Sequence, residues 1–88
     1  MEIEVRKPDK TEIDKMEVFS WPVWTCETSE FDWCYDARET CFLLEGSVTV
    51  TTDSGKVSFG SGDLVIFPEG LSCRWKIHEA VRKHYKFG

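Results

Sequence analysis

Two stretches decide how this 88-residue chain folds: Glu39-Thr-Cys-Phe-Leu-Leu-Glu-Gly46 and Gly62-Asp-Leu-Val-Ile-Phe-Pro-Glu-Gly-Leu-Ser-Cys73. Six residues separate Glu39 from Gly46, five separate Gly62 from Pro68, and Gly70 and Cys73 complete the second stretch. Each half reads as strand, tight turn, strand, because Val, Thr, Phe, Leu and Ile fill the runs while Gly and Pro-x-Gly mark the breaks. Two such halves in one short chain predict a small antiparallel barrel.

Working outward, Phe31 to Asp36 alternates so that Phe31, Trp33 and Tyr35 share one face and Asp32, Cys34 and Asp36 the other. Glu45-Gly46 is expected to turn the chain, and Ser47 to Thr52 to pair back. Asp53-Ser54-Gly55 reads as a hairpin turn, with Gly55 supplying the positive φ. The unbroken apolar run Leu64 to Phe67 suits a strand covered on both faces, and Ser72 to Ile77 and Val81 to Phe87 are expected as the last two strands. Toward the start, Ile3 to Arg6 reads as a short strand ended by Lys7-Pro8. Asp9 followed by Glu12 resembles a capping box, so one short helix carrying Ile13 and Met16 is expected to brace the barrel from the side. Phe19, Trp21 and Trp24 surround Pro22, which argues for an edge strand or a bend there, facing a partner subunit or plugging the barrel end. No linker or low-complexity segment interrupts the chain, so residues 1–88 are read as one domain.

A chain this short buries a smaller fraction of its surface than an average domain, and pairing of two copies would cover an edge strand, so a homodimer is expected. The formal charge is −5, from sixteen acidic and eleven basic residues, which repels phosphate backbones and disfavours a nucleic-acid role. Arg82, Lys83 and Lys86 read as a solvated strand face. Met1 leads into Glu-Ile-Glu-Val-Arg-Lys-Pro with neither a basic n-region nor an apolar h-region, and no run approaches a membrane span. A cytoplasmic, membrane-free protein is therefore expected, with Cys26, Cys34, Cys41 and Cys73 as thiols or metal ligands rather than disulfides.

The spacing E-x6-G followed by G-x5-P-x-G resembles the two motifs of the cupin superfamily. The whole chain, with Trp21-Pro22 near its start and Lys83-His84-Tyr85 near its end, is similar to the small single-domain cupins grouped with the ureidoglycine aminohydrolase cupin domain. That resemblance implies an all-β, jelly-roll barrel with one short N-terminal helix. It also implies a divalent transition-metal site of three histidines and a carboxylate, of which this chain keeps only Glu39. The histidine positions fall on Trp33, Tyr35 and Cys73, and a later asparagine-like position on Ile77.

Indole donates no lone pair to a metal, and Tyr35 would have to ionise against an ordinary pKa of about 10. What remains is Glu39 with Cys73 and Cys41, whose alternation points both thiols inward. Two readings stay open for them: ordinary core packing, or an unconventional zinc set. A reversible disulfide between them is a third, with no nearby cation to activate either thiol. A buried Glu39 must be paired, hydrogen-bonded or protonated, and Tyr35, Arg74 and Arg38 are its expected partners. His78 and His84 read as surface or interface residues.

The leading expectation is a binding module. Trp33, Tyr35, Phe67 and Trp75 would wall a cavity with polar points at Glu39, Cys41 and Cys73, able to stack on a planar or ureido-like small molecule. The alternative, implied by the resemblance, is a metal-dependent hydrolase of a ureido or amino compound that uses Glu39 and Cys73.

Overall fold

The computed structural model describes residues 2–88. Seven strands and one α-helix follow in chain order: β1 (Glu4–Arg6), α1 (Lys10–Met16), a 3-10 turn (Val18–Ser20), β2 (Val23–Cys26), β3 (Ser29–Cys34), β4 (Glu39–Thr52), β5 (Gly55–Gly60), β6 (Leu64–Phe67) and β7 (Ser72–Phe87). All pairings are antiparallel. The expected all-β barrel with a short N-terminal helix is the observed fold.

Two long strands carry the architecture. The first part of β4 pairs with β6 and with the end of β7, which in turn pairs with β2. The later part of β4 pairs with β5 and with the start of β7, which pairs with β3. Thus β4 and β7 run through both halves of the barrel, and the sheet order β1-β6-β4-β7-β2 branches at them to take in β5 and β3.

Sequence reading broke both strands, and both breaks are corrected. Glu45-Gly46 is a bulge inside β4, with the register against β7 shifting between Leu43 and Val48. Gly46 sits at φ 120°, and a Cβ there would lie 2.9 Å from Val81 Cα, so the bend needs a residue without a side chain. The added residue also flips the inward face. Cys41 and Leu43 point into the barrel before it, and Val48 and Val50 after it. β7 likewise passes through residues 78–80 without ending.

The main core holds Tyr35, Leu43, Val48, Val50, Phe59, Val65, Phe67, Trp75 and Ile77 among others. Outside the sheet, Phe42 and Leu64 point the other way and pack with Val18, Ile13, Met16 and Trp21. This is the side brace expected of α1. Asp9 caps it, its Oδ1 accepting from the Glu12 amide at 2.9 Å. No helix among the described residues is long and apolar enough to cross a membrane.

Candidate functional site

One end of the barrel is left half-open by a cavity of about 210 Å³. Its walls are Trp24, Phe31, Trp33, Tyr35, Trp75, Tyr85 and Phe87, and its charged groups are Glu39 and Lys83. Strand pairing puts them there. Glu39 pairs with Phe87 across β4 and β7, Trp24 with Lys83 across β2 and β7, and Phe31 with Trp75 across β3 and β7.

The centre of the site is a buried ion pair. Lys83 Nζ donates to Glu39 Oε2 at 2.6 Å, with both side chains 6% exposed. The same ammonium lies 4.9 Å from the ring centroids of both Trp24 and Trp75, so two indole faces replace part of its lost hydration. No hydrogen bond engages Glu39 Oε1, yet no enclosed polar side-chain atom lacks a partner among the described residues. Oε1 is therefore the uncommitted acceptor of a residue that lines the cavity.

Tyr35 supplies a second polar point. Its hydroxyl oxygen accepts from Trp75 Nε1 at 3.2 Å, leaving its own O–H free to donate. Burial, and then the Glu39 charge, push its pKa far above the ordinary 10.0, so it is a neutral phenol. The rings interlock: Tyr35 stacks on Phe67 at 4.7 Å, Phe31 lies parallel to Trp75 at 6.0 Å, and Trp24 meets Trp75 edge-on at 6.2 Å. Trp33, 50% exposed, and Phe87, 54% exposed, form the rim.

Of the residues singled out from sequence, Trp33, Tyr35, Glu39 and Trp75 come together around the cavity, while Phe67, Cys41 and Cys73 do not line it. Phe67 lies beneath Tyr35 in the core. Burial raises the Cys41 thiol to about 12 and the Cys73 thiol to about 11, so both are protonated and poor nucleophiles at neutral pH. All four cysteines are free thiols.

No three His, Cys, Asp or Glu side chains among the described residues cluster as a metal site. Glu39 Oε2 is already held by an ammonium. The donor set Glu39, Cys41 and Cys73 does not fit a divalent metal, and no metal-assisted step can be drawn through it.

Three expectations are corrected. Arg74 binds Glu30 and Asp32 outside the barrel, not Glu39. His84 is buried, with Nδ1 2.9 Å from the Trp21 carbonyl oxygen and its ring edge-on to Phe19. Lys83, read as part of a solvated face, is 5% exposed and central to the site. The sequence did hold a signal for it: Cys73, Trp75, Ile77, Val81 and Lys83 are alternate positions on the inward face of one strand. Reading a break at residues 78–80 discarded that parity.

A sequence model described as the EutQ-like cupin domain matches residues 13–85. The chain is similar to a DUF861 family protein of known crystal structure from Thermotoga maritima, with 51% identity, a TM-score of 0.96, and coverage of 99% of this chain and 100% of that one. It is also similar to the Clostridium difficile EutQ structure, at 25% identity and TM-score 0.66, covering 72% of this chain and 50% of that one. The curated protein acetate kinase EutQ of Clostridioides difficile (strain 630) is 29% identical over 55 residues, 62% of this chain and 35% of its own length. The chain thus spans about a third of that curated relative.

Proposed function

The chain belongs to the EutQ-like cupin family, and from that premise we propose that its barrel mouth binds a small, flat organic molecule carrying an adjacent hydrogen-bond donor and acceptor, such as an amide, a urea or a ureido compound. The observation that carries this reading is the half-open aromatic cavity whose polar groups, Glu39, Lys83 and the Tyr35 hydroxyl, are confined among rings. Trp33 and Phe87 at the rim offer faces for stacking. Glu39 Oε1 accepts from an N–H, and Tyr35 O–H donates to a carbonyl. At about 210 Å³ the cavity falls below the roughly 300–1,000 Å³ of drug-sized pockets, which limits the occupant to about one ring.

The internal pairing of charge favours a neutral occupant. Lys83 is neutralised by Glu39, so a phosphate would have to strip an ion pair rather than meet a free cation. The name acetate kinase belongs to the Clostridioides difficile relative, of whose length this chain covers 35%. We propose a homodimer as well: Val5, Phe19 and Val23 are exposed on or beside the outer strands β1 and β2, and a monomer mass by sedimentation would overturn it.

The test is a thermal-shift panel of small amides, ureas, ureido acids and amines. The expected result is a subset of hits whose stabilisation disappears in Trp33→Ala and weakens in Tyr35→Phe. Silence across the panel, or hits undiminished by both substitutions, would overturn the assignment.

A further inference from the structure

Lys83 combines features that a simple binding pocket does not need. It is the one lysine lining the aromatic cavity, it is walled by two indoles, and its ammonium touches a carboxylate at 2.6 Å. Lysine amines become nucleophiles when held in an apolar pocket beside a group that can take their proton. Glu39 Oε2 is placed to do so, because moving the shared proton across the pair replaces two buried charges with a neutral amine and a neutral acid. Tyr35 lines the same cavity, and its hydroxyl, which only accepts from Trp75, remains able to donate to a carbonyl oxygen.

From this geometry we infer that the mouth captures small aldehydes covalently, as a reversible imine on Lys83 Nζ, with Glu39 as the proton carrier. The inference rests on the binding assignment above, since the carbonyl compound occupies the same cavity. The step balances without oxidant, metal or cofactor. Lys83 gives one proton to Glu39, and its lone pair attacks the carbonyl carbon. The C–N bond forms as the C=O π pair moves to oxygen. A second proton passes from nitrogen to that oxygen, giving a neutral carbinolamine. Glu39 then returns its proton to the hydroxyl, the C–O bond breaks, and water leaves as nitrogen forms the double bond. The product is a protonated imine facing the Glu39 carboxylate, which restores the original charge pattern of the pair.

Surface lysines provide the internal control. Lys7, for example, has a side chain 80% exposed and pairs with Asp63, with no aromatic enclosure. The experiment is reductive trapping of the full chain with benzaldehyde and cyanoborohydride at neutral pH, read by intact mass and peptide mapping. Binding of benzamide, an unreactive shape mimic, is followed in parallel by tryptophan fluorescence. The expected result is a single benzyl adduct on Lys83, blocked by excess benzamide. Trapping should slow by about 10²-fold in Glu39→Gln, at a temperature where circular dichroism shows that variant folded. Benzamide binding without a Lys83 adduct, or adducts spread over exposed lysines alone, overturns the imine and leaves the binding assignment standing. Absence of the Lys83 adduct together with silence of benzamide and of the whole amide and urea panel overturns both.

Discussion

Lys83 and Arg74 sit on the same strand and hold carboxylates at the same distance, 2.6 Å from Lys83 to Glu39 and 2.6 Å from Arg74 to Glu30. What separates the two regions is solvent. The side chains of Lys83 and Glu39 are each 6% exposed among rings, whereas those of Arg74, Glu30 and Asp32 are 49%, 46% and 81% exposed on the outer face. At the outer face water competes for every contact, and such pairs add little to stability. Inside the mouth each charge depends on its partner, because desolvation has removed the alternative. Equal geometry therefore carries unequal consequence, and the enclosed pair is the one on which the proposed ligand binding rests.

The sharpest way to break the contrast is to orphan one charge. Lys83→Met should destabilise the protein by about 3–5 kcal/mol by leaving Glu39 buried alone. For a domain of this size that corresponds to a fall in Tm of roughly 12 °C or more. The double variant Lys83→Met/Glu39→Leu should recover most of the loss, since an apolar pair of similar volume needs no compensation. Thermal denaturation of the three proteins checks this; a single variant as stable as the parent would place the pair in water after all.

Gly46→Ala should come next, at about 1–3 kcal/mol. Its φ of 120° and the 2.9 Å approach to Val81 leave no room for a methyl group where β4 bends between the two regions. Chemical denaturation measures the change, and an unaltered midpoint would mean that the bend tolerates a side chain.

Alkaline titration sharpens the contrast from another side. Cys41 and Cys73 have pKa values raised from an ordinary 9.0 to about 12 and about 11. A raised value favours the folded state below the unfolded pKa, so stability should hold to about pH 9 and then decline toward pH 12 as unfolded chains ionise. Correspondingly, Cys34 should react with a thiol reagent at pH 8 in the native protein, and Cys41 only after unfolding. Rapid native modification of Cys41 would contradict its enclosure.

The smallest effect belongs to Arg74→Ala, which should leave Tm nearly unchanged at moderate salt. The Arg74 hydrogen bond and charge hold the Glu30 carboxyl below its ordinary 4.5. That contribution is present above pH 4.5 and is lost as the pH falls through the lowered value. Arg74→Ala should therefore flatten the acid side of the stability curve slightly, an effect that added salt removes. A large change at neutral pH would erase the distinction between the regions.

Much of the barrel was legible because Gly, Pro and alternation are local signals: Asp53 and Ser54 form the β4–β5 turn, Gly62 and Gly70 sit at positive φ in their turns, and Asp9 caps α1. The breaks read into β4 and β7 show the limit of that method. A glycine marks a bulge as readily as a turn, and only the neighbouring strand decides which. The site was half legible for the same reason. Trp33, Tyr35, Glu39 and Trp75 follow from motif position and alternation, but Trp24, Tyr85, Phe87 and Lys83 reach the mouth through pairings between β2, β4 and β7 that lie far apart in sequence. Lys83 was hidden further by Arg82 and Lys86, since a basic cluster looks solvated until strand parity separates its members.

The most direct test uses the four tryptophans as reporters. Trp24, Trp33 and Trp75 line the mouth, while Trp21 packs against the helix-side cluster outside it. In a nitrogen-15 spectrum of the indole N–H groups, titration with a small amide or urea from the stabilising set should move the three mouth signals saturably and leave Trp21 in place. Equal movement of Trp21, or no movement of the three across the whole panel, would contradict the assignment of the mouth as the ligand site.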